Sequence, residues 1–159
     1  MVENDSTRFS EGFVRSFRSA FLRILLDKFP SWREHVAERA QHGPLIAITP
    51  PNWKGPPFTI DVRGDTVTVR PLCKFGFDYS STATEADLEH APQRVFAKPV
   101  SEIADFVTGR TVVAIKRNKF LFLKSGWDVR FVAAGNAQDR RDQGYSIVAW
   151  PKYAGNGRC

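Results

Sequence analysis

Phe58-Thr59-Ile60-Asp61-Val62-Arg63-Gly64-Asp65-Thr66-Val67-Thr68-Val69-Arg70 alternates apolar and polar residues on both sides of an Arg-Gly-Asp-Thr junction. Successive side chains of a strand point to opposite faces, so this period of two predicts half-buried strands at Phe58–Val62 and Val67–Arg70. The glycine-bearing junction predicts a hairpin turn between them, and its Arg-Gly-Asp triplet is read as turn chemistry and not as an integrin ligand. Leu45–Thr49 upstream shows the same alternation. Between the two lies Pro50-Pro51-Asn52-Trp53-Lys54-Gly55-Pro56-Pro57, too rich in proline for regular structure and so predicted to be a surface loop carrying Trp53.

Further upstream the period changes to that of a helix. Phe9, Phe13, Phe17, Phe21 and Leu25 recur every four residues, with Ala20 and Ile24 on the same side and Arg8, Arg15, Arg18 and Arg23 opposite. This predicts an amphipathic helix from about Phe9 to Phe29, capped by Ser6 or Ser10 and stopped by Pro30, which disfavours helical geometry in the residue before it. A second helix is predicted from Trp32 to about Gln41, with Ser31 as N-cap, Glu34 completing a capping box, and His42-Gly43-Pro44 as the stop.

Downstream, Ser80 to Pro99 reads as a loop with one helical turn in its acidic part. Pro99, then Ile103, Phe106 and Val107 on one face, then Gly109, predict a short third helix. Strands follow at Thr111–Lys116, Phe120–Lys124, Trp127–Val132 and Tyr145–Trp150, with short turns at Arg117-Asn118-Lys119 and Ser125-Gly126 making the consecutive strands antiparallel neighbours. Strands grouped in runs, not alternating with helices, predict the α+β class: an N-terminal helical arm (residues 9–42) over a mostly antiparallel sheet. The expected organisation is one domain, residues 1–154, followed by a short flexible tail at 155–159.

Composition narrows the function classes. Two cysteines, Cys73 and Cys159, make no disulfide framework and no metal-binding spacing. Neither a signal sequence nor a bilayer-spanning apolar run is present in the sequence, so the expected location is the cytoplasm. The net charge is +6, and half of the excess falls in residues 99–132. Such a balance permits association with nucleic acid or another anionic partner.

Three stretches invite a chemical reading. Lys74-Phe75-Gly76-Phe77-Asp78-Tyr79 resembles the ribonucleoprotein motif of RNA-recognition and cold-shock domains, in which alternating aromatics stack on bases. It lacks the glycine after the basic residue, and the order of elements is not βαββαβ, so Phe75, Phe77 and Tyr79 are expected to pack one face of the core. Lys116, Arg117, Lys119, Lys124, Trp127 and Arg130 interleave cations with aromatics, as contacts to phosphates and bases require. The alternating Leu121 and Leu123 favour instead a central buried strand with a solubilising tip. His35, Glu38 and His42 would share one face of the second helix, yet a histidine in a last helical turn answers the helix dipole more readily than it holds zinc.

No metal or cofactor is expected, and no nucleophile is oriented by a base in the sequence; Cys73 reads as a small buried hydrophobe. Leu22 and Leu26 project toward the arginine side of the first helix, making them candidates for an interface with the second helix or another chain. A helical arm over a meander-like sheet resembles in outline small bacterial domains, some of them immunity-type inhibitors or phage accessory proteins. The expected function is a non-enzymatic protein-binding module, its partner another protein or a second copy of itself. The alternative is a nucleic-acid-binding accessory protein using the basic hairpin 116–130.

Overall fold

The computed structural model describes residues 10–40, 42–118 and 126–151. Helix α1 spans Glu11–Lys28, and the Ser10 hydroxyl accepts a hydrogen bond from the Phe13 amide at 3.1 Å, satisfying one of the amides orphaned at its start. Its aromatic stripe is the buried face: Phe13, Phe17, Phe21 and Leu25 all lie in the core.

The expected second helix takes another form. Pro30–His35 winds as a tighter 3-10 helix without a side-chain cap, and the chain then enters strand β1, Val36–Ala37. The Ser31–Glu34 capping signal is local and loses to tertiary packing. Trp32 stacks on Phe29 at 4.2 Å and lies 5.7 Å from Phe58, while Val36 and Ala37 pair with Ile46 and Leu45. His35 therefore ends a 3-10 turn, Glu38 follows a strand and His42 lies beyond, so the shared helical face that a zinc site needed does not form.

The strands form two antiparallel sheets instead of one. The larger runs β1, β2 (Leu45–Ile48), β3 (Phe58–Arg63), β4 (Thr66–Arg70) and β5 (Phe77–Ser80) in sequence order. In its register Ile60 faces Val69 and Val62 faces Val67, with Tyr79 and Phe77 continuing those rows onto β5. This row is the core face. The other face carries Asp61, Thr68 and Asp78 side by side. Buried Asp61 is held there by Arg39 at 2.5 Å and Arg63 at 3.0 Å.

The acidic stretch after β5 is more ordered than the loop expected there. It folds into α2 (Glu85–His90) and α3 (Pro92–Val95), and Thr84 and Asp87 make a reciprocal capping box. Helix α4, Ala97–Val107, begins two residues before Pro99 and is followed by Gly109 at φ +75°.

The smaller sheet has the order β7-β6-β8, from β6 (Thr111–Asn118), β7 (Gly126–Ala133) and β8 (Ser146–Val148). Arg117 and Asn118 do not turn the chain as expected. They continue β6 and pair with Trp127 and Gly126, so β6 and β7 are direct neighbours over eight pairs. The expected strand Phe120–Lys124 lies outside the described residues. A helix the periodicity did not reveal, α5 (Ala137–Asp142), precedes β8.

Both sheets, α1 and α4 contribute to one apolar cluster built on aromatics. Phe96 meets Phe17 at 4.9 Å and Phe21 at 5.3 Å; Phe106 lies between Phe58, Phe131 and Trp150. Leu22 and Leu26 are half-buried and pack against this cluster, and Ile115 is half-buried beside the fully buried Val113. Phe122 lies outside the described residues.

Candidate functional site

Cross-strand pairs share a face, so the row Val113/Phe131, Ile115/Val129, Arg117/Trp127 runs along one side of the β6–β7 pair. Its first members are core. Its last pair is at the surface, where Trp127 is 48% exposed, the large apolar residue most open to solvent among those described. The indole is held in place by specific neighbours.

Phe75 lies against the Trp127 ring at 5.1 Å. Lys74 Nζ sits 4.9 Å from the Trp127 ring centre and 5.2 Å from that of Phe75, while the Arg117 guanidinium is 6.0 Å from the indole on the β6 side. Each cation is within the range at which a ring quadrupole attracts it. The structure thus joins two stretches that the sequence presents separately, Lys74-Phe75 and the β6–β7 pair. Phe75 itself precedes β5, and the half-buried Phe77 stacks on Phe131 at 4.3 Å.

The remaining basic candidates divide. Lys116 faces the other side, donating to the Gln143 carbonyl at 2.6 Å and lying 5.3 Å from the Tyr145 ring. Arg130 is clamped to Asp128, whose carboxylate also accepts the Tyr145 hydroxyl at 2.5 Å. The bonds from Arg130 and then Tyr145 hold the Asp128 carboxyl below its ordinary range. Lys116 and Asp128 therefore fasten the segment after α5 to the sheet, and Arg130 pairs with Asp128 along β7. Lys119 and Lys124 lie outside the described residues.

Burial pushes the Cys73 thiol up, the reverse of what a nucleophilic thiolate needs. Trp53 is half-buried in its loop, with its indole N–H donating to the Pro56 carbonyl at 2.8 Å. No group of three or more metal-binding side chains comes together among the described residues, and no helix among them is long and apolar enough to cross a membrane. Comparison with protein families, with characterised proteins and with solved structures finds no match.

Proposed function

We propose that the chain is a non-enzymatic protein-binding module acting in the cytoplasm as one domain, in the manner of small bacterial immunity-type or phage accessory domains. Its contact surface is centred on Trp127 and its partner is acidic. The exposed indole, held in place by Phe75 and flanked by Lys74 and Arg117, is the observation that carries this reading. Tryptophan and arginine dominate the energetics of protein interfaces, and a ring already supported in one orientation loses little entropy on binding. The two flanking cations favour a partner surface with carboxylates, and the net charge of +6 steers such a partner inward.

A specific observation keeps a second reading in play. Paired aromatics bordered by cations also suit single-stranded nucleic acid. Lys74 and Arg117 are the cations beside the Trp127 ring, so that reading rests on them. Two phosphate contacts on a single strand give a log–log salt slope of only about −1.4.

The test is a comparison of the protein with Trp127→Ala. Loss of the ring's contacts with Phe75 and the two cations predicts a drop of about 1–2 kcal/mol in a protein that still folds, while capture of a discrete protein partner should be lost. Weak, shallow-slope retention on heparin completes the expected result. Submicromolar oligonucleotide binding that vanishes in Lys74→Glu/Arg117→Glu, in a protein that still folds, would replace the protein partner with a nucleic acid.

A further inference from the structure

We infer that two copies of this chain join through the outer edge of β7, antiparallel, in the register that sets Val129 against the partner's Val129. The pairing stands apart from the acidic partner of Trp127, and either can fail without the other. β7 is an outer strand of the smaller sheet, bonded on one side only, to β6. The Ala134 amide bonds to the Arg110 carbonyl at 2.9 Å, and pairing continues from there without a bulge to Asn118 and Gly126. Antiparallel bonding alternates along a strand, so Asp128, Arg130 and Val132 turn their N–H and C=O groups to β6. Trp127, Val129 and Phe131 turn theirs outward, and among the described residues no backbone group meets them.

Edges of this kind are normally kept very short or guarded by proline, lysine or a bulge, because they offer a template to any other strand. The other outer strands are short: two residues in β1, four in β5 and three in β8. β7 runs for eight, Gly126–Ala133, with no proline, no lysine and no bulge.

The strand's own sequence selects the occupant. Turning a copy of Trp127-Asp128-Val129-Arg130-Phe131 end for end about Val129 sets Asp128 opposite the partner's Arg130, and Arg130 opposite the partner's Asp128. Asp128 and Arg130 already pair along β7, so the four charges close a ring of alternating sign. On the other face Trp127 meets the partner's Phe131, and Phe131 the partner's Trp127, aromatic pairs of the kind that stabilise neighbouring strands. Moving the centre by one residue would set Asp128 against the partner's Asp128, or Arg130 against the partner's Arg130, and like charges directly opposite destabilise. The seam receives one acid and one base from each copy, so the chain's excess of cations does not oppose it. The outward residues of the two strands supply about six main-chain bonds. Such an interface is isologous: one two-fold axis closes it, and it stops at two copies.

Sedimentation equilibrium of the full chain over a concentration series reads the pairing, and the expected mass is twice that of one chain. Val129→Pro removes an N–H that faces away from β6, so the variant should fold yet pair at least tenfold more weakly. Asp128→Arg and Arg130→Asp each place like charges across the seam and should each weaken pairing at least tenfold. Mixing those two variants should restore pairs of unlike chains, with circular dichroism checking that each still folds. A single-chain mass at every concentration, a doubled mass indifferent to Val129→Pro in a folded variant, or charge reversals that mixing does not rescue would each overturn the inference. Capture of an acidic protein by a chain that stays single rejects only the β7 pairing; a doubled mass without such capture rejects only the Trp127 reading.

Discussion

The Tyr79 hydroxyl, on the outermost strand of the larger sheet, donates to the Glu102 carboxylate on α4, so sheet edge and helix are tied by a charge-assisted bond. Burial, and then the adjoining carboxylate, push the phenol well above its ordinary value of 10. Below pH 10 it is protonated in both folded and unfolded chains, so its contribution to stability is complete there. Above pH 10 the unfolded chain releases the proton while the folded chain keeps it, and stability declines as pH climbs. Ultraviolet titration should show one phenol ionising only with unfolding, and that phenol should be missing in Tyr79→Phe. Normal ionisation of every tyrosine in the folded state would remove this tie.

Truncating the aromatic stripe of α1 should cost much more than any surface change. Phe17 is 1% exposed and meets Phe96 edge-on at 4.9 Å. Phe17→Ala is expected to lower unfolding free energy by about 3–5 kcal/mol, read from the urea midpoint. An unchanged midpoint would detach α1 from the core.

Asp61 is the buried charged residue of the core region, at 4% exposure, with Arg39 and Arg63 as its partners. Asp61→Ala leaves the partly buried Arg39 without its counter-charge, and a loss of about 3 kcal/mol is expected from breaking one side of such a pair. Arg63→Ala removes only the exposed partner and should cost about 1 kcal/mol or less. Equal losses in the two variants would contradict that division.

Two glycines with positive φ should respond differently. A Cβ on Gly43, at φ +76°, would come within 2.6 Å of Arg18 Nε and 2.8 Å of the Val62 carbonyl oxygen. Gly43→Ala should therefore lose more than about 1 kcal/mol, strain adding to conformational cost. Gly64, at φ +55° in the β3–β4 turn, would meet nothing within 4 Å. Gly64→Asn should be nearly neutral, because asparagine tolerates that conformation. Thermal melts of the two variants make the comparison.

How much of this was legible in the sequence depends on the range over which each element is decided. The stripe of α1, the β3–β4 hairpin around Gly64 and the Pro99-to-Gly109 bracket of α4 follow local periodicity and turn chemistry, and the observed elements fall on them. The stretch after Pro30 obeys distant partners, Phe58 for Trp32 and β2 for Val36, so its capping signal misleads. The division into two sheets is a pairing decision that no single strand's pattern carries.

The candidate surface is legible by residue type but not by arrangement. Trp127 and Arg117 stand out as an aromatic and a cation, yet their direct pairing requires the register of β6 on β7, and Lys74-Phe75 joins them only through the tertiary fold. The same register sorts Lys116 to the opposite face, where the Gln143 carbonyl occupies it.

The shared row on β6 and β7 makes the hairpin a cantilever. Its root, Val113 against Phe131, is clamped in the core, and Trp127 stands four residues further along β7, about 14 Å away at the rise of an extended strand. The aim of the indole is thus fixed by packing at the root, and deleting one residue between Val129 and Trp127 would swing the ring to the α5 side without touching the surface it now occupies. A binding face mounted this way can change its composition while its root stays fixed, and a one-residue change of register on β7 is what redirects it.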